Sequence, residues 1–212
     1  MFDFEKLLVS QIKCPDLLAL HKPETSGHVV QFYEDDTFMI ENVCYLAAKS
    51  LTAGDSSVLV ATGSHLDRIQ KRLTSCGLDL NRFREVGRYV ALDAAETLSQ
   101  FSVDGWPDEA KFNEIVGGLI CRSTEKSANG FVFAFGEMVA LLCFANRPAA
   151  AVRLEQLWNA LAQAYRFSLC CAYPLESFGR EPDLNALFQI CAEHSLAVPA
   201  ESPLQACINV SS

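Results

Sequence analysis

With 212 residues, half of them apolar, the chain can build one sizeable core and is short for two. Its formal net charge of −9, with no Lys/Arg run longer than two residues, argues against nucleic acid or an anionic membrane as a direct partner, since both reward a positive surface. Nine cysteines, odd in number and mostly inside apolar runs, fit buried thiols in a reducing compartment better than a disulfide framework. There is no basic leader followed by an apolar run, and no apolar stretch approaches the roughly 20 residues that span a bilayer. The expectation is a cytoplasmic protein.

Residues 1–26 read as an amphipathic helical lead-in broken at Pro15, and His21 to Gly27 as a loop. His28 to Tyr33 is a short strand, after which Asp35 and Asp36 are cap candidates for a helix carrying Phe38, Met39, Val43, Leu46 and Leu51. Ser57 to Thr62 is a second strand, apolar enough to be covered on both faces. Ser64 opens a helix with Leu66, Ile69 and Leu73 on one stripe, closed at Gly77. Arg88 to Asp93 is a third strand, and Ala94 to Phe101 a short helix. Val103 to Pro107 is a turn, followed by a helix burying Phe112, Ile115, Val116, Leu119 and Ile120. The strand at 131–135 ends at Gly136 and is followed by a carboxylate, Glu137. Pro148 opens a helix whose apolar stripe runs through Leu154, Leu157, Trp158 and Leu161. Phe167 to Tyr173 is the fifth strand, Pro182 starts a last helix, and residues 199–212 form an irregular tail. Strand and helix alternate throughout, so the fold class is α/β: three layers, a mostly parallel sheet with helices on both faces, and one main domain over 27–198.

In this order the chain resembles the MEDS sensory domain, a family described from methanogen and methylotroph regulators of the dichloromethane-response type. The resemblance is carried by His28-Val29-Val30-Gln31-Phe32-Tyr33-Glu34, Ala53-Gly54-Asp55, Gly87 to Ala94, and Val103-Asp104-Gly105. It continues through Phe135-Gly136-Glu137 to Leu142, Leu154-Glu155-Gln156-Leu157-Trp158-Asn159, and Phe167 to Pro174, and covers about residues 27–195. Cys170 stands where the family usually has leucine, and Cys143 where an aromatic is common. The resemblance implies a RecA/KaiC-like fold that has lost the phosphate loop. It also implies sensing of small molecules, including hydrocarbon derivatives, beside a histidine kinase or DNA-binding regulator.

The residues agree with that loss. Gly-x-x-x-x-Gly-Lys-Ser/Thr occurs nowhere, and the turn after the first strand is Glu34-Asp35-Asp36, which repels a triphosphate. In a parallel sheet, ligands sit at the carboxyl ends of strands. The ligand-binding candidates are therefore Tyr33, Glu34, Thr62, Asp93, Glu137 and Tyr173. Glu137, flanked by apolar residues, must be paired, hydrogen-bonded or protonated; capping of backbone N–H groups or pairing with Arg88 or Arg153 competes with ligand contact. Arg88, Asp104, Glu155 and Asn159 are candidates for a structural or switch network, with a solvated face as the alternative for Glu155 and Asn159. His21, His28, His65 and His194 show no ligand-like spacing, so no metal site, cofactor or catalytic residue is nominated. Cys170 and Cys171, adjacent in a strand, should point to opposite faces.

The expectation is a non-enzymatic small-molecule sensing domain that acts through a partner, a histidine kinase or transcription regulator, and forms a homo-oligomer. The alternatives are a degenerate nucleotide-binding ATPase or phosphotransferase, which the missing phosphate loop disfavours, and a ligand-free interaction domain, which a pocket beside Glu137 would disfavour.

Overall fold

The structure, a computed structural model, describes residues 27–178 and 181–198, the side chains of 181–184 excepted. The helical lead-in expected over 1–26 and the tail over 199–212 lie outside the described residues. β1 (His28–Tyr33) leads into α1 (Asp36–Thr52), and β2 (Ser56–Ala61) into α2 (Gly63–Ser75) and the short α3 (Leu80–Glu85). β3 (Tyr89–Asp93) leads into α4 (Ala94–Phe101) and a two-stranded hairpin, β4 (Ser102–Val103) with β5 (Trp106–Pro107). A helix in three parts follows: α5 (Glu109–Phe112), a π-helical segment (Asn113–Gly117) and α6 (Gly118–Lys126). β6 (Val132–Gly136), α7 (Met138–Phe144), α8 (Pro148–Ala162), β7 (Phe167–Pro174), a 3-10 turn (Leu175–Phe178), α9 (Glu181–Ala192) and β8 (Leu196–Val198) complete the order.

Six strands form one parallel sheet in the order β3-β2-β6-β7-β1-β8. Every residue of β2, β6 and β7 is buried, as the near-continuous apolar runs require of strands covered on both faces. One apolar layer joins α1 and α2 to Tyr33, Leu59, Phe135 and Cys170. The other joins α4 to α9 to Val30, Val60, Val132, Cys171 and Tyr173. The two adjacent cysteines thus face opposite layers, as the period of two demands.

The chain leaves β1 and β2 toward the first layer and β3, β6 and β7 toward the second. The sheet order therefore contains three places where neighbouring strands send their connections opposite ways: between β2 and β6, between β7 and β1, and between β3 and β2. Such switch points open crevices at strand carboxyl ends. Thr62 and Glu137 flank the first; Tyr33 and Pro174, paired in register, close the second.

Four helices start on an aspartate cap: Asp35, Asp79, Asp93 and Asp108 accept the backbone N–H of Thr37, Arg82, Glu96 and Lys111. Three features depart from the expected pattern. The apolar run after Glu137, ambiguous in periodicity, forms α7. The turn expected at 103–107 is a small hairpin, with Asp104 and Gly105 at positive φ. A sixth strand, β8, adds three residues beside β1. Among the described residues no helix is long and apolar enough to cross a membrane.

Candidate functional site

Glu137 follows the last residue of β6 and is 2% exposed. Its Oε2 accepts the Thr62 backbone N–H at 2.8 Å and the Thr62 hydroxyl at 3.3 Å. Thr62 is the N-cap of α2, so the carboxylate lies at the positive end of that helix and bridges the first switch point. Neither Arg88 nor Arg153 reaches it. Its second oxygen meets Nδ1 of His65 at 2.5 Å. The other ring nitrogen of His65 lies 3.3 Å from Oδ2 of Asp36, which also accepts from Arg68 at 2.5 Å.

His65 therefore has a carboxylate at each ring nitrogen. Carboxylates only accept, so both contacts are satisfied together by the imidazolium. The hydrogen bond to Glu137 raises the His65 pKa above its ordinary value; burial opposes this, and Asp36 adds to it. The hydrogen bond from Arg68 holds Asp36 below the usual carboxylate range. A chain of charges thus runs from the interior end of β6 to the surface: Glu137, His65, Asp36, Arg68.

The two middle members of this chain, His65 and Asp36, stand in the wall of an open cleft of about 650 Å³ that Tyr33, Glu34, Phe144 and Pro174 also line, among others. Asp35 and Glu176 add two further carboxylates to the lining. Burial, then Glu137, Asp36 and Glu176, push the Tyr33 hydroxyl up, so it remains a neutral donor. Apolar surface comes from Pro174 and the half-exposed Phe144 at the end of α7.

Of the six ligand-binding candidates, the structure brings Tyr33, Glu34, Thr62 and Glu137 to this edge. The other two do not line the cleft, although Asp93 ends β3 at the same carboxyl edge, in register with Ala61. Asp93 caps α4, its Oδ1 2.9 Å from the Glu96 N–H. Tyr173 is fully buried beneath α8, because its strand position faces that layer. His65, absent from the candidates, is the residue that connects Glu137 to the cleft.

The expected network of Arg88, Asp104, Glu155 and Asn159 does not exist as one unit. Arg88 donates to the carbonyls of Leu51 and Asp55, beyond the opposite end of the strands. Asp104 sits in the hairpin, its carbonyl accepting from Arg147 at 2.5 Å. Glu155 and Asn159 do share a network, but its partners are histidines. Glu155 is fully buried and not on a solvated face.

Glu155 accepts the Tyr173 hydroxyl on Oε1 at 2.6 Å and the Cys171 thiol on Oε2 at 3.2 Å. His28 Nε2 is 3.2 Å from Oε2, and His194 Nε2 is 3.5 Å from Oε1. Burial alone would raise the Glu155 pKa; His194, His28 and Tyr173 outweigh it and hold the group well below the usual carboxylate range. Burial pulls His194 down to about 4. The donor atoms of His28, Glu155, Cys171 and His194 all lie within 4.8 Å of one another, the arrangement among the described residues that could hold a metal ion.

A family model described as "MEthanogen/methylotroph, DcmR Sensory domain" (MEDS) matches residues 27–194, most of the chain. No curated protein matches it. Among solved structures, an uncharacterized protein from Pyrococcus horikoshii, PH0321, crystallised with an unknown peptide, is similar with a TM-score of 0.66 at 11% identity. That match covers 94% of this chain and 90% of the other, and at that identity it speaks to the fold alone.

Proposed function

The chain belongs to the MEDS family, and from that premise we propose that it senses a small molecule in the cleft between β1, α2 and α7. The family is one of sensory domains, and this member is a signalling module and not an enzyme: the phosphate loop is missing and its place is taken by Glu34-Asp35-Asp36. The observation that carries the ligand proposal is the charge chain from Glu137 through His65 to Asp36, which joins one wall of the cleft to the end of a central strand. A ligand that hydrogen-bonds Tyr33 or displaces Asp36 from His65 changes the load on Glu137, and through Thr62 the start of α2. That is a differential interaction of the kind a switch requires.

The lining also sets the ligand's chemistry. Glu34, Asp35, Asp36 and Glu176 outnumber the cations and repel anions, while Tyr33, Phe144 and Pro174 offer apolar contact. The ligand class that fits is a simple hydrocarbon derivative bearing a neutral or cationic head, such as an alcohol or amine. The output runs through a histidine kinase or transcription regulator, with the domain as a homo-oligomer.

Native mass spectrometry of the protein as purified from cells, followed by analysis of a denatured extract, identifies a retained compound. Calorimetric titrations with methylamine, methanol, acetate and ATP with Mg²⁺ check the class. Saturable heat is expected with methylamine or methanol and none with acetate or ATP; saturation by either anion alone overturns the proposal.

A further inference from the structure

The buried cluster around Glu155 lies on the opposite side of β7 from the cleft wall at His65, and the sensing proposal makes no use of it. Four elements meet there: His28 opens β1, Glu155 lies in α8, Cys171 in β7, and His194 between α9 and β8. Each histidine is oriented by a hydrogen bond on its far nitrogen. The Asn159 amide donates to Glu193 at 2.9 Å, which turns its oxygen toward His28 Nδ1 at 2.8 Å. His194 Nδ1 donates to the Ile190 carbonyl at 2.6 Å. With protons on both Nδ1 atoms, both Nε2 lone pairs point inward, the arrangement in which metal-binding histidines are held by their outer partners.

In this neutral state of both rings the interior lacks positive charge, and a cation takes the place beside Glu155 that a protonated His194 or His28 would otherwise fill. Two imidazole lone pairs and a carboxylate converge, and among the described residues the inward donors are the Cys171 thiol and the Tyr173 hydroxyl, both directed at Glu155. His194 Nε2 is buried and makes no hydrogen bond. An added proton on His28 would serve the line to Glu155 and leave His194 stranded. A cation at the centre serves all four groups. Around Glu155 Oε2 the separations are close to one: His28 Nε2 to Oε2 is 3.2 Å, His28 Nε2 to Cys171 Sγ 3.5 Å and Cys171 Sγ to Oε2 3.2 Å; His194 Nε2 lies 3.5 Å from the other oxygen, Oε1, and the four donor atoms all fall within 4.8 Å of one another. A tetrahedron built on zinc bond lengths has edges of about 3.3–3.7 Å.

We propose that His28, Glu155, Cys171 and His194 form a closed, structural site for one first-row divalent metal ion of the zinc type. Two imidazoles, one thiolate and one carboxylate form a donor set that suits such an ion over Mg²⁺ or Ca²⁺. On binding, the Cys171 S–H bond breaks, the proton leaves to solvent and the sulfur pair forms the metal–sulfur bond; nothing is oxidised or reduced. The charges of Cys171, Glu155 and the ion then sum to zero inside the core, where an uncompensated charge is costly. Tyr173 and Asn159 remain as outer partners of the ligands.

The full-length protein, stripped with a chelator and freed of it, is titrated with CoCl₂ and separately with ZnCl₂. Expected are about one equivalent of metal per chain by native mass spectrometry, the visible spectrum of tetrahedral Co²⁺, thiolate-to-cobalt charge-transfer absorption, and a higher Tm with Zn²⁺. Cys171→Ser removes the charge-transfer absorption, His194→Gln weakens binding at least about tenfold, and Cys170→Ala, on the other face of the same strand, keeps both. Stripped wild-type protein that takes up no Co²⁺ and gains no Tm with Zn²⁺ overturns the proposal, and does so whether or not the variants fold. Charge-transfer absorption that persists in Cys171→Ser overturns it as well. Neither result bears on the ligand of the cleft.

Discussion

Glu137 and Glu155 are both buried carboxylates paired with histidine, yet they sit in opposite circumstances. Glu137 ends a strand at a switch point, and its histidine stands in the wall of an open cleft with a second carboxylate on its far side. Glu155 sits mid-helix in the interior, and its partners are closed in by β1, β7 and the α9–β8 junction. The first arrangement ends at a surface arginine, so the occupancy of each contact responds to solvent and solutes. The second is linked outward by hydrogen bonds from His28 to Asn159 and from Asn159 to Glu193, with no ion pair in that link. The same pair of residue types thus serves as a relay in one place and as a knot in the other, and what decides between them is whether the histidine's second nitrogen meets another carboxylate, as in His65, or a neutral amide or carbonyl oxygen, as in His28 and His194.

The largest expected effect is at the knot. Glu155→Ala leaves a cavity and strands the Tyr173 hydroxyl, and should cost about 3–5 kcal/mol in a denaturant melt. A loss below about 1 kcal/mol would erase the distinction drawn between the two sites.

Glu137→Gln comes next. The amide oxygen can still accept the Thr62 N–H, but the charge opposite His65 is gone, for an expected cost of about 1–3 kcal/mol. A greater loss than in Glu155→Ala would reverse the roles assigned here.

The pH dependence of the relay is sharper in sign than in size. Because Glu137, with help from Asp36, raises the folded-state pKa of His65 above the unfolded value near 6.5, protonated His65 contributes stability that is fully present below about pH 6.5. That contribution disappears as pH rises through the folded pKa. Histidine-detected NMR should place the His65 midpoint above the ordinary value in wild type and lower in Glu137→Gln; an unmoved midpoint would break the relay at its first link.

The smallest effect belongs to its outer end. Arg68 and Asp36 are 42% and 37% exposed, so Arg68→Ala should cost less than about 1 kcal/mol, a cost that added salt diminishes.

Much of this fold can be read from periodicity, because five of the six sheet strands are apolar runs bounded by glycine, proline or a capping acid. The three-residue β8 is too short for a period to register, and α7 is apolar enough that strand and helix cannot be told apart by pattern alone. At the site, strand-end position identified Glu137 and Tyr33. His65 sits one turn into a helix, and the signal that could have found it is its distance of three residues from the strand-end Thr62. Glu155 does carry a signal: with Ala151 and Trp158 it follows the i, i+4, i+7 spacing of the buried stripe of α8. His28 and His194 carry none at all, since only the pairing of β1 with β8, reinforced by the Ser195 N–H to the His28 carbonyl, brings them to a ring separation of 4.0 Å.

The strand order has a consequence for how the molecule is made. β1 is the first described strand to leave the ribosome, yet both of its neighbours, β7 and β8, come from the far end of the chain, with His28 set against Leu169 and Val29 against Leu196. During synthesis β1 therefore waits with both edges unpaired while β2, β3 and β6 can already assemble. Such long-range parallel pairing folds slowly and leaves strand edges open to misassociation. The sheet is complete only once β7 and β8 have joined β1, and because His28 rides on β1 while Cys171 and His194 come from the far end of the chain, the buried cluster cannot form before that pairing.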